Sequence, residues 1–256
     1  MQLVDTHAHI NLAQYDEDRP RVVRRAVEAN VRYILDIGTD LESSRRCVKN
    51  CETFDSVYSV VGIHPHDAVK MGSGDLDEIE KMLSHPRVVG MGEMGLDYHY
   101  DFSPRDIQKD LFYRQLRTAR KYELPVVVHV REAMIDALDV IDQAGSLPWS
   151  GVFHCFSGTR DDITAVLERG FHISFTGVVT FKNFGKAGSV KAVPVQKLLL
   201  ETDAPYMAPE PNRGKRNEPA YLIETARKLA DLFQISTEEL SSITTATAIQ
   251  LFRLEH

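Results

Sequence analysis

Leu124-Pro125-Val126-Val127-Val128-His129 is the pattern of a buried strand, an apolar run of β-branched valines, and it is closed by a histidine. The same pattern recurs on either side. Downstream, Gly151-Val152-Phe153-His154-Cys155-Phe156-Ser157-Gly158 also ends in histidine, and Leu198-Leu199-Leu200-Glu201-Thr202-Asp203-Ala204-Pro205 is a leucine-rich strand closed by an aspartate. Upstream, Val88-Val89-Gly90-Met91-Gly92-Glu93-Met94-Gly95-Leu96-Asp97 sets a carboxylate among glycines, which let backbone approach a ligand closely. Near the amino terminus, Leu3-Val4-Asp5-Thr6-His7-Ala8-His9 runs into a His-x-His pair, and side chains two apart on extended backbone face the same way.

Eight such runs end near His7, Gly38, His64, Glu93, His129, His154, Ser174 and Asp203, at intervals of 20 to 36 residues. That is the spacing of a repeated βα unit. Helical periodicity fills the gaps, as over Arg21 to Asn30 and Ile107 to Tyr122. Ser103-Pro104-Arg105-Asp106 offers a cap with proline at the first helical position, and Thr159-Arg160-Asp161-Asp162 and Ser236-Thr237-Glu238-Glu239 read as capping boxes. The expected fold is α/β, a single (β/α)8 TIM barrel over residues 1–253. Leu254-Glu255-His256 is read as a tag remnant and set aside. The rival, an open doubly wound sheet, lacks its Gly-x-Gly-x-x-Gly fingerprint after the first strand.

In such a barrel, catalytic groups gather at the C-terminal ends of the strands. His7, His9, Glu93, His129, His154 and Asp203 all fall there. Each alone reads equally as a satisfied core histidine or a turn-starting carboxylate. Together they describe a distributed metal site on a barrel rim, which points to a metal-dependent hydrolase.

Composition sets outer bounds. The 256 residues are 43% hydrophobic, enough for a sizeable core, and no linker, low-complexity tract or membrane-length apolar run divides them. With neither a signal peptide nor enough cysteines for a disulfide framework (Cys47, Cys51 and Cys155 only), a soluble cytoplasmic protein is expected. Thirty basic against 37 acidic residues, net −7, argue against a protein that coats nucleic acid by charge.

The motifs resemble those of a known family. His7-Ala8-His9, Gly62-Ile63-His64-Pro65-His66, Gly92-Glu93-Met94-Gly95-Leu96-Asp97-Tyr98, Val128-His129, His154-Cys155-Phe156-Ser157-Gly158 and Glu201-Thr202-Asp203-Ala204-Pro205-Tyr206 look like the signature set of the TatD-type deoxyribonucleases, within the metal-dependent amidohydrolase superfamily. Arg213-Gly214-Lys215-Arg216-Asn217-Glu218-Pro219 follows in family order. The resemblance implies a barrel nuclease that hydrolyses DNA phosphodiesters from 3′ to 5′ with two divalent ions (Mg, Mn or Zn), prefers single-stranded or 3′ ends, and serves DNA repair or degradation. It gives His7, His9 and Asp203 to one ion and His129 and His154 to the other, with Glu93 bridging. Asp203 would orient the attacking water and take its proton.

Substrate contacts are expected from His64, Arg213, Lys215 and Lys182, and Arg216 joins Arg213 and Lys215 in a local basic cluster suited to phosphate. His66 suits a loop hydrogen bond. Arg131 would serve substrate or pair with Glu93 or Asp203, and Tyr98, Tyr100, Phe102 and Phe181 would stack bases or pack as a lid. The alternative activity is that of an amidase, lactonase or phosphoesterase on a small molecule, and the alternative to catalysis is a metal-stapled scaffold. No membrane contact is expected, and the default assembly is a monomer.

Overall fold

The computed structural model describes residues 1–146 and 150–254. Eight strands, β1 (Leu3–Ala8), β2 (Val31–Ile37), β3 (Val57–Val61), β4 (Val88–Asp97), β5 (Val126–Arg131), β6 (Gly151–Phe153), β7 (His172–Phe175) and β8 (Leu198–Leu200), pair in sequential order, every pair parallel. Between them run α1 (Arg19–Glu28), α2 (Leu41–Thr53), α3 (Asp75–Met82), α4 (Arg105–Lys121), α5 (Met134–Ala144), α6 (Arg160–Glu168) and α7 (Ala187–Val190); α8 (Leu222–Phe233) and α9 (Thr237–Phe252) follow. This is the (β/α)8 TIM barrel.

Parallel strands covered on both sides have no polar face to alternate, which is why the valine run of β5 could be read as a strand at all. Two apolar clusters lie on the two faces of the sheet. The outer one joins strand residues such as Leu3, Ile34 and Met91 to the helices through Val22, Leu116, Ile163 and Leu229. The inner one joins Val4, Leu35, Val60, Val127, Val152 and Leu199 to Ala248, Leu251 and Phe252 of α9. Leu254 packs in that inner cluster at 3% exposure. Residues 255–256 lie outside the described residues.

The barrel closes between its first and last strands. Ala8 bridges Ala204 in parallel, with His9 N–H donating to the Ala204 carbonyl at 2.7 Å and Asp203 N–H to that of His7 at 2.8 Å. The side chain of Asp5 accepts from the Thr202 hydroxyl at 2.6 Å and its amide at 2.9 Å, and the Thr6 hydroxyl donates to the Leu200 carbonyl at 3.0 Å.

Local signals fared unevenly. Thr159 and Asp162 form the reciprocal capping box expected of them, while Ser236 accepts from the Glu239 amide. Pro104 is the N-cap of α4 instead of its first residue. Ser103 donates to the His66 carbonyl at 3.0 Å and accepts from the Val69 amide at 3.0 Å. The glycines of β4 serve neighbouring strands and not a ligand: a Cβ on Gly92 would fall 2.6 Å from the Val127 carbonyl oxygen.

Candidate metal centre

His7 and His9, two apart at the end of β1, point the same way, as period-two geometry requires. Their Nε2 atoms lie 3.2 Å apart. Asp203 reaches them from just beyond β8, with Oδ1 at 3.8 Å from His7 and 3.4 Å from His9. Its φ is +54°, a left-handed conformation that aspartate tolerates better than most residues. From β4, Glu93 directs Oε2 at this group, 3.4 Å from His7 and 3.7 Å from His9.

The other oxygen of Glu93 faces a second group. Oε1 is 2.7 Å from His154 Nε2, 3.0 Å from His129 Nδ1 and 3.4 Å from His64 Nε2. His129 Nδ1 and His154 Nε2 are 3.2 Å apart. His64, expected to reach outwards to substrate, is thus drawn in beside Glu93 and is 8% exposed.

Do these donors fit metal ions? Ligands at about 2.0–2.2 Å from one cation sit roughly 3.0–3.5 Å from each other, and the spacings within the two groups, 2.7 to 3.8 Å, centre on that range. The far side of two of the four rings is held as a ligand needs, while Nδ1 of His7 and of His154 is buried without a hydrogen-bond partner. His9 Nδ1–H donates to the Ile37 carbonyl at 2.9 Å, and His129 Nε2–H donates to Asp97 Oδ2 at 3.0 Å, which leaves Nδ1 of His129 as an acceptor. The residues fit the metal that this chemistry calls for.

Two supporting carboxylates were not singled out from sequence. Asp97 accepts from His129 and from His66 Nε2 at 2.9 Å, which gives His66 its loop hydrogen bond. Glu201 is fully buried. It accepts from the Cys155 amide at 2.6 Å and the Ser174 hydroxyl at 2.6 Å, with Oε1 3.6 Å from His154 Nδ1. For Asp97 a signal existed: on an extended strand, positions 93 and 97 share a face.

Charge in the metal-free centre is shared between carboxylates and protons. Burial works against the charge of Glu93, but His154, His64 and His7 around it hold its carboxyl well below the usual range. Burial likewise lowers His9, yet the hydrogen bond to Asp203 and the charge of Glu93 outweigh it and push His9 up to about 9. His64, with burial dominant, is pushed down to about 4. A ligand histidine must be neutral, so a divalent ion has to displace the His9 proton. Metal affinity should therefore rise as pH climbs towards 9, about tenfold per pH unit for each proton displaced, with protons released on titration. The metal-free fold should respond with the opposite sign, because a raised histidine pKa stabilises below the unfolded value, near 6.5, and that support is lost as pH rises through about 9. Calorimetry of EDTA-treated protein in buffers of different ionisation enthalpy checks both; affinity flat between pH 6 and 9 would contradict them.

The remaining expected contacts are scattered. Arg216 pairs with Asp18 at 2.8 Å and lies over the Tyr15 ring at 4.5 Å, a structural anchor. Arg213 is exposed, with its guanidinium 4.3 Å from the Phe181 ring, and exposed Lys215 approaches Asn212 at 3.4 Å. A cavity of about 460 Å³ opens beside the centre between the ends of β5 to β8. His129, His154 and Asp203 meet Phe156, Phe181 and Phe184 there, and Lys186 lines it while Lys182 does not. The Lys186 amine donates to the Ser157 carbonyl. Arg131 also lines it, with its guanidinium 4.8 Å from the Tyr100 ring and not on either carboxylate. The cysteines are free, and no metal-capable group among the described residues includes them. No helix among the described residues is long and apolar enough to cross a membrane.

A barrel that carries four histidines and two carboxylates on its C-terminal rim defines a class, the metal-dependent hydrolases. Comparison with known proteins narrows it: residues 4–253 match the family described as TatD related DNase, and the chain belongs to that family. It is 42% identical over 253 residues to an uncharacterized metal-dependent hydrolase, YabD, of Bacillus subtilis, covering 98% of this chain and 99% of the relative. A 3′-5′ ssDNA/RNA exonuclease, TatD, of Citrobacter rodentium is 34% identical, with 98% and 97% covered. The crystal structure of YjjV, a TatD homologue from Escherichia coli, superposes with a TM-score of 0.93 at 28% identity over 99% of this chain and 98% of the other.

Proposed function

We propose that this chain hydrolyses phosphodiester bonds at the 3′ end of single-stranded DNA, as a monomer, with two divalent ions (Mg, Mn or Zn) held side by side. One observation carries the two-ion reading: Glu93 turns Oε2 to His7 and His9 and Oε1 to His129 and His154, one oxygen for each donor group. His7, His9 and Asp203 would hold one ion and His129 and His154 the other, with Glu93 between. When bound, such a pair lowers the pKa of water and neutralises charge on the phosphate. All six donors come from one chain, so no second copy is required.

Asp203 would orient the attacking water and take its proton. Oxygen from that water bonds to phosphorus, the bond from phosphorus to the neighbouring O3′ breaks, and the products are a 5′-mononucleotide and a shortened strand. Burial works against a charged Asp203, but His9, His7 and His154 hold its carboxyl below the usual range, so the group is ionised. Arg213 and Arg131 at the rim, with Lys186 in the cavity wall, supply local positive charge for the phosphates on an acidic chain. The exonuclease activity named for the Citrobacter rodentium relative supports the polarity and the single-stranded substrate.

The test is a 5′-labelled single strand incubated with EDTA-treated protein, then with Mg, Mn or Zn. A metal-dependent ladder shortening from the 3′ end is expected, with Asp203→Asn slower by about 10²–10⁴-fold. An intact strand after loading of the wild type would overturn the reading and favour a small ester or amide substrate.

A further inference from the structure

We infer that Tyr100 and Phe102 form a stacking step on which an unpaired base of a single-stranded nucleic acid lies next to the scissile phosphate; this rests on the phosphodiesterase reading above. The two residues sit in the connection from β4 to α4. Large apolar side chains are mostly buried in this fold, yet Tyr100 is 48% and Phe102 62% exposed. They are also ordered against each other. Their rings stack at 5.3 Å between centroids and 19° between planes, and His66 sets its ring edge-on to both, at 5.4 Å and 4.9 Å. A paired, exposed and flat apolar surface beside a reaction centre marks a binding surface.

The step is tied to the centre by a single carboxylate. Asp97 Oδ1 accepts from the amides of His99 and Tyr100, at 3.0 Å and 2.9 Å, and so fixes the loop that carries the rings. Its other oxygen takes His66 and His129, and His129 belongs to the donor group around Glu93 Oε1. Arg131 lies over Tyr100 at 4.8 Å and also lines the cavity that reaches Asp203, so a cation stands between the step and the reacting phosphate. Charge balance points to a base as the occupant. A chain of net charge −7 cannot hold a polyanion by long-range attraction, whereas base stacking on aromatic rings is uncharged and tolerant of sequence.

The experiment uses the Mn-loaded enzyme and 5′-labelled single strands in which one abasic residue is walked through the last few nucleotides at the 3′ end. Wild type is compared with the double variant Tyr100→Leu/Phe102→Leu, which keeps apolar bulk at two exposed positions but removes both flat rings, and with Phe102→Trp. At one abasic position wild-type kcat/KM should fall about tenfold or more. The double variant should show that same loss on the intact strand and lose nothing further on the abasic one, while Phe102→Trp, which keeps a flat ring, retains the wild-type sensitivity to the abasic position. Equal rates for wild type and double variant on the intact strand, or losses that multiply at every abasic position, would overturn the step and leave the nuclease reading standing. Failure of the wild type to cut any strand would remove that reading and the step with it.

Discussion

Glu93→Ala should yield a folded barrel that binds at most one divalent ion and hydrolyses substrate slower by about 10⁴-fold or more. Both donor groups lose their shared member in this one change. His7 and His9 keep only Asp203 as an anionic partner, and His129 and His154 keep none within the group. The fold should survive because the barrel closes elsewhere, through Asp5, Thr6 and Thr202 and the backbone pairs at Ala8 and Ala204. Metal content by elemental analysis, read beside rate and circular dichroism, separates the cases. Two ions retained at an unchanged rate would show that Glu93 does not join the groups.

Gly95→Ala should be the most damaging change in the framework. A Cβ there would lie 1.9 Å from the His129 carbonyl oxygen and 2.9 Å from its carbon, and φ is +141°, where side chains are strained regardless of space. Both obstacles are backbone of the adjoining strand, which cannot swing aside as a side chain would. β4 would have to part from β5, and His129 would leave its position opposite Glu93. A loss of about 4 kcal/mol or more, seen as a melting temperature roughly 10 °C lower or as insoluble protein, is expected. Gly188→Ala, with open space around the added carbon, is the control and should melt with the wild type. Equal melting of both variants would mean that the two strands have more freedom than their contact implies.

The strands were legible because burial on both faces writes itself into sequence as apolar runs, and the rim was legible because six of the eight runs end near a histidine or carboxylate, residues out of place in a core. Histidines 129 and 154 needed no more than that. Asp97 lay in plain view on the strand face it shares with Glu93, a sign of where it points but not of its task, since a carboxylate that steadies a ring is defined by that ring, more than thirty residues along the chain. Arg216 failed in the opposite direction: it reads as a phosphate-binding cation until Asp18, 198 residues away, is seen to hold it. The glycines of β4 were recognised as a close approach, while what approaches them was beyond the sequence.

The closure of the barrel also has a consequence for timing. His7 and His9 leave the ribosome long before Asp203, which cannot take its place until the eighth strand has been translated and has paired with the first. The donor set is therefore incomplete in any chain translated only part of the way to Asp203, so a polypeptide that stops short of the eighth strand lacks the first group of metal donors.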